Sequence, residues 1–144
     1  MSQNEAPAAL SPAQIDDLRQ RALAAATKAY APYSGFRVGA AVLLDDDTVT
    51  TGCNVENASF RLTTCAEQSA IAAAVALQGS TARLRAVMIV NLNHTASPPC
   101  GGCRQTILEF GSPRTEVFFP ATDDSEIRST ITDLLPHAFL LEGR

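Results

Sequence analysis

No stretch of this chain is apolar for long enough to cross a bilayer. The longest unbroken run, Ala70 to Leu77, falls far short of the roughly 20 residues a spanning helix needs. Positive charge is in the minority, with 11 Lys and Arg against 15 Asp and Glu and a net charge of -4. Such a surface offers no basic field for gripping a phosphate backbone, so stable nucleic-acid binding is not expected. Histidine is scarce: His94 and His137 are the two present. Neither has a helical partner at ligand spacing, and both read as surface or locally hydrogen-bonded residues. The start, Met1-Ser2-Gln3-Asn4-Glu5, lacks the basic and apolar stretches of a secretory signal, which makes a cytoplasmic location the expectation. No repeat, low-complexity block or linker divides the sequence. The 144 residues, 46% of them apolar, are expected to form a single domain, 1–144, with a core that needs no disulfide support.

Four cysteines are present, and in a reducing compartment they argue for metal or chemistry. Cys65-Ala66-Glu67 and Pro99-Cys100-Gly101-Gly102-Cys103 supply three thiols and one carboxylate. Three protein ligands leave the fourth tetrahedral position of a zinc ion open, the mark of a catalytic site. Glu67 is then a proton carrier and not a ligand, an arrangement that nucleobase deaminases use. A Cys-x-x-Cys pair alone also serves redox dithiols and structural zinc. The Cys-x-Glu partner decides against both, because neither needs a carboxylate there. Cys53 could in principle close the site as a fourth thiolate, but its place on a strand makes it a buried structural thiol. Asp45-Asp46-Asp47 has no later ligand at calcium-loop spacing and reads as a solvated turn.

The pattern of elements predicts an α/β protein, a three-layer α/β/α sandwich on a mixed central sheet. Ser11-Pro12 with Gln14 opens a helix whose Ile15, Leu18, Ala22, Ala25 and Ala29 share a face, and which is expected to stop near Tyr30 ahead of Pro32. Segments 37–44 and 48–55 read as a hairpin. Segment 65–78 is an Ala-rich helix closed by Gly79, 84–90 an inner strand, 91–99 a loop, 100–110 a helix, 115–119 a strand and 127–135 a short helix. Cys65 then begins one helix, while Cys100 and Cys103 straddle the first turn of another. Two positive helix ends would face one metal, stabilising thiolates.

Five segments together resemble the homotetrameric cytidine deaminase family. They are Tyr30-Ala31-Pro32-Tyr33-Ser34-Gly35-Phe36-Arg37-Val38-Gly39-Ala40-Ala41, Thr51-Gly52-Cys53-Asn54-Val55-Glu56-Asn57-Ala58-Ser59-Phe60, Cys65-Ala66-Glu67, Pro98-Pro99-Cys100-Gly101-Gly102-Cys103-Arg104-Gln105 and Leu134-Leu135-Pro136-His137-Ala138-Phe139. They run in family order over nearly the whole chain. The resemblance implies one zinc ion per subunit on Cys65, Cys100 and Cys103, with Glu67 shuttling protons in the hydrolytic deamination of cytidine or 2′-deoxycytidine, a step of pyrimidine salvage. It implies that Asn54 and Glu56 bind the ribose, that Phe36 stacks near the base and that the backbone at Ala66 positions the pyrimidine. Spaced two apart, Asn54 and Glu56 would share one face of a strand. It also implies a homotetramer in which Ala58, Phe60 and Phe139 map onto pocket residues supplied by neighbouring subunits. Phe60 stands where the family commonly has tyrosine and offers no hydroxyl for a contact there.

Directly after the glutamate the family usually has arginine, and this chain has Gln68. Three thiolates, a zinc ion and a hydroxide sum to -2, an excess that cationic groups near the sulfurs would relieve. Arg104 is expected to bear that duty here, with Gln68 giving a neutral hydrogen bond. Two other readings compete: a related zinc deaminase acting on another cytosine compound or on polynucleotide, and a noncatalytic zinc module or redox protein.

Overall fold

The computed structural model describes residues 8–141. The polar start Met1–Glu5 lies outside them, as do residues 142–144. Ser11 caps the first helix, α1 (Pro12–Ala26), through the expected capping box with Gln14. The helix stops at Ala26, short of the Tyr30 expected from sequence, because Tyr30 is drawn into extended pairing. Its N–H donates to Asn54 O at 3.0 Å and its carbonyl accepts from Glu56 N at 2.8 Å.

Five strands follow: β1 (Val38–Leu44), β2 (Val49–Cys53), β3 (Leu84–Asn91), β4 (Glu116–Pro120) and β5 (Glu126–Thr130). They form one sheet in the order β2-β1-β3-β4-β5. Only β3 and β4 run parallel, and α3 (Gly101–Phe110) makes the crossover such a pair requires. All seven residues of β1 are buried, as an apolar strand covered on both faces must be.

Alternation along the strands divides the core. Ala41, Leu43, Ala86, Met88, Val90 and Phe118 face α1 through Leu18, Ala22 and Ala26. Ala40, Val42, Leu44, Val87, Ile89 and Val117 face the other layer, formed by α2 (Ala66–Gln78), α3 and α4 (Ile131–Leu134). The result is the expected three-layer sandwich. Glycine lets both layers approach closely: a Cβ on Gly39 would lie 2.0 Å from Ala22 O, and one on Gly52 would lie 2.4 Å from Ala70 N.

The helix expected over 127–135 is strand in its first half. Residues 126–130 pair antiparallel with β4, and only Ile131–Leu134 is helical. The tertiary setting overrides local preference here. Arg128 forms a two-pronged ion pair with Glu116 at 2.8 and 3.1 Å and lies 5.3 Å above the Phe118 ring, contacts a helix at that place could not make.

Candidate active site

Helix starts position the three thiols. Cys65 is the N-cap of α2, in extended backbone geometry, and its side chain caps nothing. Cys100 is the N-cap of α3, its sulfur accepting from Cys103 N at 3.4 Å. Both helices pack on the same face of the sheet, so their N-terminal ends converge. The sulfurs of Cys65, Cys100 and Cys103 all lie within 4.8 Å of one another. A tetrahedral centre with metal–sulfur bonds of about 2.3 Å separates sulfurs by about 3.8 Å, so small side-chain adjustments close the set on one ion.

The thiols are electrostatically unequal. A hydrogen bond from Cys103 lowers the Cys65 thiol to about 7, while donating that bond, together with burial, pushes Cys103 up. Glu67 sits in the first turn of α2, only 5% exposed, and burial raises its carboxyl above the ordinary 4.5. Hydrogen bonds from its own backbone and from Cys103 act in the opposite direction. A buried acid held beside three sulfurs is suited to accepting and returning a proton.

A cleft of about 210 Å³ opens over this cluster, lined by Phe36, Asn54, Ala66 and Glu67 together with Cys65 and Cys100. Val38 at the start of β1 and Thr63, Ser97 and Pro98 next to the two cysteine turns complete the wall, and sequence reasoning missed all four as site residues. For Thr63, Ser97 and Pro98, proximity to Cys65 and Cys100 in the chain was the available signal.

A sequence profile described as "Cytidine and deoxycytidylate deaminase zinc-binding region" matches residues 12–119, from the first residue of α1 into β4. The chain belongs to this deaminase family. A curated cytidine deaminase of Mycobacterium tuberculosis is 44% identical over 125 residues, which are 87% of this chain and 89% of that protein. A cytidine deaminase of Halalkalibacterium halodurans is 40% identical, covering 87% of this chain and 93% of its own. The crystal structure of cytidine deaminase from Burkholderia pseudomallei superposes with a TM-score of 0.77 at 43% identity, covering 86% of this chain and 98% of that one.

The zinc of this family fits the donor set, since three soft thiolates at two helix N-termini suit that ion. Cys53 is not part of the cluster. It lies at the end of β2, half-buried and not buried as expected, because β2 is an edge strand, in a groove with Arg21 and Lys28. His94 is exposed at the surface, 3.9 Å from Asp124, and His137 is exposed as well.

Other site residues of the deaminase reading lie apart from the cleft. β2 ends at Cys53, and the chain continues extended through Val55, which lies between Asn54 and Glu56 and bridges Tyr30 and Thr64. Asn54 is buried in the cleft wall, whereas Glu56 accepts from Tyr33 N at 3.0 Å and Ser34 N at 3.1 Å. The Ser34 hydroxyl and these backbone donors hold the Glu56 carboxyl below its ordinary value. Ala58, Phe60 and Phe139 are exposed, Phe60 at 76% and Phe139 at 70%, with Phe60 set edge-on to Tyr33. Gln68 reaches over the start of α3: its amide nitrogen and the Cys100 sulfur lie 3.6 and 3.9 Å from where a Gly102 Cβ would sit. Arg104 donates to Pro99 O at 2.8 Å and Leu134 O at 2.7 Å, so its hydrogen bonds go to backbone carbonyls that frame the site.

Proposed function

We propose that this protein catalyses the hydrolytic deamination of cytidine and 2′-deoxycytidine, giving uridine or 2′-deoxyuridine and ammonia, as one catalytic domain over residues 1–144. The observation that carries the reading is Glu67, buried in the same cleft as a three-thiol cluster. Its similarity to proteins called cytidine deaminases supports the choice of base. Zinc on Cys65, Cys100 and Cys103 supplies the Lewis acidity that makes water nucleophilic at neutral pH. Glu67 takes the proton released from that water and delivers it to N3 of the pyrimidine as oxygen adds at C4. It then takes the proton of the C4 hydroxyl and passes it to the amino group, so that the C4 carbonyl forms as the C–N bond breaks and ammonia departs instead of an amide anion. The backbone at Ala66 orients the pyrimidine, Phe36 stacks near it, and Asn54 and Glu56 receive the ribose.

At about 210 Å³ the cleft is small for a binding pocket. This suits a compact nucleoside and a pocket completed by other copies of the chain. We read Ala58, Phe60 and Phe139 as the surfaces that do so in a homotetramer, with the exposed Leu62 and Leu141 also favouring burial between copies. Gln68 and Arg104 support the metal-bearing turns. No described helix is long and apolar enough to cross a membrane, and a cytoplasmic role in nucleoside salvage fits the free-nucleoside substrate.

The test is to incubate zinc-loaded protein with cytidine, 2′-deoxycytidine and a cytosine-bearing single-stranded oligonucleotide, following ammonia release. Turnover of the nucleosides but not of the oligonucleotide is expected. Turnover of the oligonucleotide alone would favour a polynucleotide deaminase.

A further inference from the structure

Phe36 sits just before β1, where the sheet has not yet begun, and yet its backbone is held on both edges. On the β2 side, Asn54 donates from Nδ2 to Phe36 O at 2.7 Å and accepts at Oδ1 from Val38 N at 2.8 Å. On the β3 side, Asn93 donates from Nδ2 to Gly35 O at 3.2 Å and accepts at Oδ1 from Arg37 N at 3.0 Å. Each side-chain amide thus bonds a carbonyl and the N–H two residues later, as the N–H and C=O of one residue do across a parallel β-ladder. The two partners of each amide also fix which end is oxygen and which nitrogen.

Asn93 is outside the cleft, and it is itself presented by the end of β3. Asn91 Oδ1 accepts from Asn93 N at 2.9 Å, and Asn91 Nδ2 donates to Thr95 O at 2.8 Å, shaping the turn in which His94 adopts a φ of 52°. The next ladder bond, Leu92 N to Arg37 O at 3.0 Å, stands between that turn and β1. At the other end of the segment, Gly35 turns the chain with a φ of 69° and Phe36 N donates to Ser34 Oγ at 2.9 Å.

We infer that Asn93 is a positioning residue for the substrate pocket: its amide extends the sheet beyond β1 and, opposite Asn54, fixes the peptide that carries Phe36 into the cleft. The inference rests on the proposed role of Phe36 beside the base. Asn93 touches no reacting atom, so its loss is expected to weaken nucleoside binding without slowing chemistry.

Two measurements test this. In hydrogen exchange on the free zinc-bound protein, Asn93→Ala should strip protection from the Arg37 amide and leave the Val38 amide protected by Asn54. In steady-state kinetics with cytidine, Asn93→Ala should raise KM about fivefold with kcat within about twofold, and Asn93→Asp, which keeps the acceptor for Arg37 N, should recover part of the loss. Placed in a Phe36→Ala background, Asn93→Ala should change KM less than about twofold, because the ring it positions is gone. Unaltered Arg37 exchange in Asn93→Ala overturns the clamp whatever the activity. Lost Arg37 protection with unchanged KM, or an equal penalty with and without Phe36, overturns the positioning role. Wild-type protein that binds zinc and shows the predicted exchange pattern but does not deaminate cytidine contradicts the assigned activity and, with it, the pocket role; the exchange result still decides the clamp.

Discussion

Arg104 and Leu134 are thirty residues apart and joined by a hydrogen bond of 2.7 Å, the guanidinium donating to the carbonyl at the end of α4. The same side chain holds Pro99 O at 2.8 Å, directly before Cys100 of the proposed zinc site. One planar group therefore ties the turn before Cys100 to the C-terminal segment. Arg104→Gln is expected to cost about 1–3 kcal/mol of stability and to impair turnover or zinc retention far more than Gln68→Ala. Arg104→Lys separates geometry from charge, since an ammonium keeps the charge without the planar fork. Thermal unfolding and zinc content should place Arg104→Lys close to Arg104→Gln; full rescue by lysine would show that charge alone matters, and equal mild effects of Arg104→Gln and Gln68→Ala would deny Arg104 its special role.

Metal content should discriminate among the four cysteines. Wild type should retain one zinc per chain through dialysis, as should Cys53→Ser, whereas Cys65→Ser, Cys100→Ser and Cys103→Ser should each lose most of it. Removing the ion with a strong chelator should lower the melting temperature, because three thiols and two helix ends converge on the site. Zinc loss from Cys53→Ser comparable to that from the other three would require a four-thiolate centre instead.

Glu56 should leave a signature in acid. Its folded pKa lies below the ordinary 4.5, so its carboxylate stabilises the fold fully above that value and loses the effect as pH falls through the lowered pKa. The stability difference between wild type and Glu56→Gln should be constant near neutrality and shrink below pH 4.5, read from melting temperatures over a pH series. A difference that grows on acidification would contradict the hydrogen bonds from Tyr33 and Ser34.

Close packing of α2 on β2 makes Gly52 intolerant of a side chain. Gly52→Ala should destabilise by about 2 kcal/mol or more, since the added carbon would meet the backbone of Ala70 and Ala66. Gly101→Ala, with nothing within 4 Å, should be near neutral. Denaturant unfolding of both variants checks the contrast.

Much of this architecture was legible because local signals and tertiary demands agree. Ser11, Pro12 and Gln14 specify the start of α1, and the Ala-rich run after Cys65 suits a helix pressed against glycine-bearing strands. The thiols were legible too, because ligand spacing and helix starts coincide at Cys65 and Cys100. Residues 127–130 were not: they read as the start of a short helix, and only pairing with β4 and the Arg128–Glu116 contact make them a strand. The partners of Glu56 were not legible either, since Tyr33 and Ser34, whose backbone N–H groups it binds, lie more than twenty positions earlier in the chain. Asn93 gave no sequence signal, as its role arises from a meeting of residues 56 positions apart.

The central claim is that Glu67 moves the protons at a zinc site it does not itself ligate. Glu67→Gln preserves shape and removes the base, so the decisive measurement is cytidine deamination by this variant beside wild type, each with its zinc content determined. Full zinc occupancy with turnover reduced at least about a thousandfold is the predicted result. Near-wild-type turnover by a zinc-loaded Glu67→Gln protein, or loss of zinc from it, would contradict the account.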